Sequence, residues 1–337
     1  MISRLVSLTA VVLVAAGCSG TSGDDGGMMG TDSGAPFDAG PQPIKYTKYT
    51  RRSAGWPSGA RIVGAAVVNG VLYAAHSQGL SALKSTETDW TTETSPLTGD
   101  LKPTSLQRVD QALVLTAAGA TGGGIFTREL DAAWVQVMGP PMKPMWGLTK
   151  KGTEWLLVAT GALYAAPDLP GPWARRSALN TPVFAAAPTH FMAAAGQQKL
   201  FASSLGAADG GLFESSDLGA TWSSSTVRGR VDALGGTGPV VLVATTGADG
   251  GQQRSDNYGN TFRPATMPVT GTLDFYVTDG TTFWVGGSDG LAKSSDQGVS
   301  FTPEANGLPS GEIFGLWLAG SYVIADTADG PYVNQLQ

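Results

Sequence analysis

Cysteine and histidine are almost missing from this 337-residue chain, which has one cysteine, Cys18, and two histidines, His76 and His190. A single thiol excludes a disulfide framework, and three such residues far apart in sequence leave no cluster with zinc-site spacing. Charge is scarce as well: 14% of residues, with 21 Lys and Arg against 27 Asp and Glu and a formal net charge of −6. That balance disfavours non-specific nucleic-acid binding, which needs a basic face. Leu, Glu and Lys are too sparse for long amphipathic helices. No glycine motif opens a helix, so no nucleotide cofactor is expected, and none of another kind is predicted. What is abundant is glycine, 47 residues, with 20 prolines. Many short strands joined by Gly-rich turns fit that composition.

The N-terminus has the form of a targeting segment. Arg4 supplies a positive region, and Leu5 to Ala16 form an apolar run too short to span a bilayer as a mature helix. The run ends in Val14-Ala15-Ala16-Gly17-Cys18, which resembles the lipobox of bacterial lipoproteins, with Ala15 where Leu is usual. The resemblance implies that residues 1–17 are a signal peptide cleaved before Cys18. It also implies that Cys18 is lipidated and that the chain is anchored in the cell envelope, with Ser19 matching outer-membrane sorting. An ordinary secretory signal with an incidental cysteine is the alternative; the lone thiol favours the lipid. Several acyl chains at about 0.8 kcal/mol per buried methylene would hold such an anchor firmly. Residues 18–44 are rich in Gly, Ser, Thr, Asp and Pro, contain almost nothing to bury, and are expected to form a disordered tether. Their aspartates lack the alternate spacing and closing Glu of a calcium loop.

An octet repeats through the rest. Ser215-Ser216-Asp217-Leu218-Gly219-Ala220-Thr221-Trp222 is followed by a second copy from Ser255 to Phe262, in which Asp256 is taken as the acid, and a third from Ser294 to Phe301. Three worn copies end at Trp90, Trp134 and Trp173. Aligned on the closing aromatic, the spacings are 44, 39, 49, 40 and 39 residues. Each period holds four strand signals, two apolar and two more polar. In the period before Phe262 these begin with Arg230 to Leu234, a turn over Gly235 to Pro239, and Val240 to Thr245. Four-stranded modules of ~40 residues are propeller blades. Six octets define six blades. The C-terminus adds three strands near Ile313–Ala319, Tyr322–Ala325 and Pro331–Val333, and Lys45 to Thr50 is predicted to supply their missing outer strand. The expected fold is all-β: a seven-bladed β-propeller over 45–337, its last blade closed from the N-terminus, which removes exposed sheet edges.

The octets resemble the Asp-box, or BNR, repeats of sialidases, sortilin-type receptors and photosystem II assembly-factor-like propellers. The resemblance rests on Ser215, Asp217, Gly219 and Trp222, on Asp256, Gly259 and Phe262, and on Asp296, Gly298 and Phe301. It implies a structural turn between the third and fourth strands, remote from the ligand face. On the residues alone, Asp accepts bonds from its own turn, Gly supplies positive φ, and the aromatic packs the blade.

Binding is then expected on the face built by the connectors from one blade's outer strand to the next blade's inner strand. Ten cations fall in those segments: Arg51, Arg52, Arg61, Lys102, Lys143, Arg175, Arg176, Arg228, Arg230 and Arg263. Clustered guanidinium groups suit carboxylate, phosphate or an acidic partner patch, although charge also collects in loops for lack of anywhere else. Residues 139–146 form a stiff Pro-rich connector in which Trp146 either meets a partner or packs into the central channel; 174–189 is the longest connector. The predicted function is a membrane-anchored, non-enzymatic, monomeric binding or scaffold propeller for a protein partner, an anionic ligand or a glycan. The alternative is a sialidase-like glycoside hydrolase. Against it, Ala60-Arg61-Ile62-Val63 lacks the aromatic and proline of the family's F/Y-R-I-P motif, and no pair of carboxylates is assignable. The two histidines are read as structural.

Overall fold

The computed structural model describes residues 48–129, 132–137, 143–177, 188–193, 199–204, 211–246, 251–266, 271–304 and 306–336. The signal segment 1–17, Cys18, the tether to 44 and residues 45–47 lie outside the described residues, as do 139–142 of the Pro-rich connector and 178–187 of the longest connector.

Seven four-stranded antiparallel sheets form a ring, each a meander from an inner to an outer strand, so the chain is a seven-bladed β-propeller. Blade 1 comprises Ile62–Val68, Val71–His76, Gly79–Lys84 and Thr91–Glu93. Blade 2 runs through Lys102–Val109, Ala112–Ala118, Gly123–Arg128 and Val135–Gln136; blade 3 through Met145–Lys151, Glu154–Ala159, Ala162–Ala166 and Ala174–Arg175. Blade 4 uses Pro188–Ala193, Leu200–Ser204, Leu212–Ser215 and Ser223–Ser224; blade 5 uses Arg230–Thr237, Val240–Thr246, Gly251–Ser255 and Arg263–Ala265. Blade 6 is Leu273–Thr278, Phe283–Gly287, Gly290–Ser294 and Thr302–Pro303. Blade 7 is Ile313–Ala319, Tyr322–Thr327 and Gly330–Gln335, with Thr50–Arg51 as its outer strand.

Of the predicted closing segment Lys45 to Thr50, the described part 48–50 joins the sheet only at its end, and the pairing continues one residue past it: Thr50 pairs with Val333 and Arg51 with Tyr332. The glycines of blade 5 also differ from expectation. Gly235 and Gly236 lie inside the inner strand rather than in a turn. A Cβ on Gly235 would sit 2.5 Å from the Tyr276 side chain of blade 6, so glycine here permits close approach of two blades.

Among the described residues, the buried apolar side chains fall into seven clusters, and each cluster lies between two adjacent blades. The octet aromatics are distributed one per interface. Trp90 packs with blade 7 residues Trp317, Ile324 and Val333, Trp222 with Leu163 and Leu200, and Phe301 with Ala233 and Leu242. Each aromatic thus packs across to the preceding blade, where the sequence reading had it packing its own. The seventh is Tyr49, 3% exposed, immediately before Thr50–Arg51 and set among Ile313, Leu316 and Tyr332. It completes the series that the spacing of Trp and Phe residues left at six.

The octet turns explain how this happens. Ser215 Oγ accepts from Gly219 N at 2.7 Å and donates to Asp217 Oδ1 at 2.7 Å, and Asp217 accepts from the Thr221 amide and hydroxyl at 2.9 and 2.6 Å. Ser294, Asp296, Gly298 and Ser300 repeat the pattern. In the second copy the acid position is filled by Asn257, not Asp256: Ser255 Oγ donates to Asn257 Oδ1 at 2.8 Å, and Thr261 N donates to the same oxygen at 3.0 Å. The register follows the Ser-to-Gly spacing, which an alignment on the acidic residue misplaces by one. Two consecutive left-handed residues make the turn: Leu218 and Gly219, Tyr258 and Gly259, Gln297 and Gly298. A Cβ on Gly219, Gly259 or Gly298 would meet Leu163, Phe201 or Leu242 of the preceding blade at 2.2, 2.3 and 2.8 Å. The glycine is required by φ and by contact at once.

Candidate functional site

The meander places structure on two faces. Octet turns and the hairpins between first and second strands share one face. Connectors and the hairpins between second and third strands share the other. Arg263 follows its octet directly, so it belongs to the turn face, where it pairs with Asp256. Arg254 also reaches Asp256, at 3.5 Å. The other nine predicted cations lie at the connector end of their strands or in connectors.

The structure does not leave these nine alike. Arg61 sits 3.7 Å over the Phe314 ring, donates to Thr327 O at 3.0 Å and lies 3.7 Å from Asp326. Arg176 pairs with Glu154, and Arg230 with Asp232 at 3.0 Å. Arg51 donates to Asp329 O, Arg52 is half-buried under Trp90, whose indole N–H donates to Arg52 O, and Arg175 donates to Ser177 O and Gly161 O. Lys102, Lys143 and Arg228 are exposed, with no carboxylate partner among the described residues. The hairpins between second and third strands bring acids to the same face, notably Asp289 and Asp329, beside the connector acid Glu312. The face is consequently mixed in sign rather than basic.

A second feature of this face is absent from the sequence reading. Every inner strand carries a β-bulge at its second or third residue, between Ile62 and Gly64, Pro103 and Ser105, Met145 and Gly147, Pro188 and His190, Val231 and Ala233, Leu273 and Phe275, and Ile313 and Gly315. The unpaired residues form one level of the ring near the connector mouth: Val63, Thr104, Trp146, Thr189, Asp232, Asp274 and Phe314. Bulges re-aim side chains, and they recur where a strand serves a site. Asp232 has one carboxylate oxygen buried without a partner; burial raises its pKa, against the Thr246 hydroxyl and Arg230. Trp146 does not fill the channel: its N–H donates to Thr160 Oγ1 at 2.9 Å and its ring packs on the interface of blades 3 and 4. The one sequence signal for this level is an acid interrupting an apolar strand, as in Val231-Asp232-Ala233 and Leu273-Asp274-Phe275.

Asp326 is the buried acid of the ring. It is 1% exposed in the second strand of blade 7, accepts from Ile62 N of blade 1 at 3.1 Å, and leaves Oδ1 without a hydrogen bond. Burial pushes its pKa up to about 7, opposed by Arg61 and by the Ile62 amide. His76 is a core residue. Its Nδ1 accepts from Gln78 N at 3.2 Å, so Nε2–H faces Ser81 Oγ at 3.1 Å, and burial lowers its pKa to about 4. His190 lies in the inner strand of blade 4, opposite Ser203. Gln252 is 6% exposed with both amide atoms unpartnered.

The octet acids are consumed by their own turns. For Asp217, burial raises the pKa, but bonds from Thr221 and Ser215 outweigh it and hold the carboxyl low; Ser294 and Ser300 hold Asp296 at about 2. Tyr49 stands beside Glu304, yet burial and that carboxylate raise its pKa, the opposite of what a nucleophilic tyrosinate needs. Among the described residues no group of three His, Cys, Asp or Glu could hold a metal ion. The central channel holds a cavity of about 370 Å³ lined by the inner strands of blades 1, 2, 6 and 7, reaching Arg108, Asp110 and Gly320 on the turn face.

These features define a seven-bladed β-propeller with octet turns on one face and connectors on the other. Solved structures agree on the fold. The extracellular domain of a hybrid two-component system (BT4673) from B. thetaiotaomicron superposes with a TM-score of 0.67 at 10% identity, over 87% of this chain and 40% of that one. YCF48 bound to a D1 peptide gives 0.63 at 13% identity, over 88% of this chain and 99% of that one. A chain of the mitotic checkpoint complex gives 0.61 at 8% identity, over 94% and 99%. No protein-family model matches the chain, and no curated protein matches its sequence.

Proposed function

We propose that the protein is an envelope-anchored, non-enzymatic binding propeller that docks an acidic segment of a protein partner on its connector face. The observation that carries this reading is the set Lys102, Lys143 and Arg228. These cations are exposed at the connector end of the blades, while the octet acids and His76 are committed to internal bonds. Exposed cations without an internal partner attract carboxylates and speed encounter. The similar fold of a propeller solved with a bound peptide, and of one that forms an extracellular domain, supports the same reading. The octets act as Asp-box turns, which keep the opposite face structural. Cys18 carries the lipid, and residues 18–44 give the propeller reach from the outer membrane.

The test is Lys102→Glu, Lys143→Glu and Arg228→Glu together in the full chain, purified from native membranes. Loss of a co-purifying partner with an unchanged melting temperature is expected; retention of that partner overturns the reading. Cys18→Ala is expected to move the protein from the membrane to the soluble fraction, and a variant still in the membrane fraction overturns the lipid anchor.

A further inference from the structure

The connector face has two charged corners, and they lie across the channel from one another. At the hairpin of blade 3, a Cβ on Gly161 would stand 3.3 Å from Lys143 Nζ, and Arg175 Nη2 donates to Gly161 O at 3.0 Å. Two cations are therefore held against one glycine, and exposed Lys102 begins the neighbouring inner strand of blade 2, where Asp100 is the one acid at this corner among the described residues and is bonded to the Ala120 amide, so that cations outnumber it. Like charges gathered there repel, and more strongly once a partner displaces the water between them. A carboxylate set between them relieves that repulsion. At blade 6 the signs reverse. The hairpin carrying exposed Asp289 touches the connector carrying exposed Glu312, since a Cβ on Gly290 would be 3.8 Å from Gly311 O. In a ring of seven, blade 6 is diametrically opposite the junction of blades 2 and 3.

We infer that the partner segment crosses the channel mouth with fixed polarity, its acidic part on the corner of Lys102 and Lys143 and its basic part on the corner of Asp289 and Glu312. This rests on the connector-face reading above and adds the partner's charge order to it. The second-to-third-strand hairpins lie two strand spacings, roughly 10 Å, outside the inner strands on either side of the channel. With roughly another 10 Å across the channel mouth, the span is about 30 Å, or roughly nine residues of extended chain. A uniformly acidic segment of that length would place its far end against Asp289 and Glu312, where like charges disfavour it. The ordering of charge thus selects among acidic partners and fixes the direction in which one lies.

The test uses the full chain and fluorescein-labelled 12-residue peptides: four Glu, a Gly-Ser spacer and four Lys; the same composition with Glu and Lys alternating; four Glu with spacer only; and Gly-Ser alone. Fluorescence anisotropy is expected to show the block peptide binding about tenfold tighter than the alternating one. Lys102→Glu with Lys143→Glu, or Asp289→Lys with Glu312→Lys, should each abolish that preference. All four substitutions together should restore it, because the peptide can then bind reversed; this rescue also excludes misfolding as the cause of the losses. Equal binding of block and alternating peptides, with the Glu-only peptide still bound and still lost in the lysine variant, overturns the polarity and leaves the acidic-segment reading standing. If no peptide binds better than Gly-Ser alone, both are overturned.

Discussion

Replacing Asp326 with Asn tests whether the seam that closes the ring carries a neutral acid at physiological pH. The carboxyl bridges blade 7 to the Ile62 amide of blade 1, and its pKa is raised from 3.8 to about 7. A raised folded-state pKa means that the folded protein holds its proton more tightly than the unfolded chain does. The stability this confers is fully present below pH 3.8 and is lost as pH rises through about 7. Three pH units at about 1.4 kcal/mol each make the ionised form about 4 kcal/mol worse in the fold than in the unfolded chain. Asn keeps an acceptor for Ile62 N and removes the charge, but turns an amide donor toward the Arg61 guanidinium, which takes back a part. The expected gain at pH 8 is therefore about 2 kcal/mol, or roughly 4 °C in Tm for a domain of this size. At pH 4 the gain should shrink by most of that amount. His76 titrates in both proteins and cancels from the difference. Thermal melts of parent and variant from pH 4 to pH 8 read this directly. A variant that loses more stability at pH 8 than at pH 4 would refute the reasoning, since it would show an ionised Asp326 held by Arg61.

Three further outcomes follow from the packing. Gly298→Ala should destabilise by about 2–3 kcal/mol or more in chemical denaturation, because its φ is +77° and the new methyl meets Leu242; Gly280→Ala, with open space at φ +101°, should cost only about 1 kcal/mol. Similar losses at both sites would remove the interblade role of the octet glycine. Tyr49→Ala should cost about 3 kcal/mol or more and lower the melting temperature as Trp90→Ala does, since each fills one interface; no loss at Tyr49 would separate it from the aromatic series. His76 should contribute a loss on acidification between about pH 6.5 and pH 4, set against the gain from Asp326 over the same range: its lowered pKa means that the unfolded chain takes up the proton first, so that its share of stability is complete above the unfolded value and is lost toward about 4. In melts over that range the difference between parent and His76→Gln should shift against the parent as pH falls, and a difference that stays constant with pH assigns no such loss to His76.

The architecture was legible because each blade repeats one turn, and the turn has a chemical reason for each of its residues. Ser, Gly and the aromatic carry the register. The acid alone does not, because an amide oxygen can accept the same bonds, as Asn257 does. Tyr49 is not legible as a member of the series, since its octet is split between the two ends of the chain: the third strand is Gly330–Gln335, and the aromatic precedes Thr50. The connector face was half legible. Its cations are visible in the sequence, but ion pairs such as Arg176 with Glu154 join residues 22 apart. The hairpin acids that share the face lie tens of residues from the connectors they touch. The bulge level leaves a trace in the sequence only at Asp232 and Asp274, where an acid interrupts an apolar strand; at Val63 and Phe314 the unpaired residue is itself apolar and leaves the run unbroken.

The octet also accounts for where variation is free. Its serine, acid or amide, glycine and aromatic are tied together by hydrogen bonds within the turn, and the glycine and aromatic are then tied to the blade before. A substitution there disturbs an interface and a turn at once. The connectors and second-to-third-strand hairpins carry no such double duty over most of their length. Charged residues can be exchanged there without opening a core cluster, at a stability cost within about 0.5 kcal/mol for most exposed sites. A ring built this way can change the partner it accepts by rewriting one face while the other keeps the blades together. The diametric placement of Lys143 and Glu312 is the kind of arrangement that such freedom permits and that the interfaces between blades do not require.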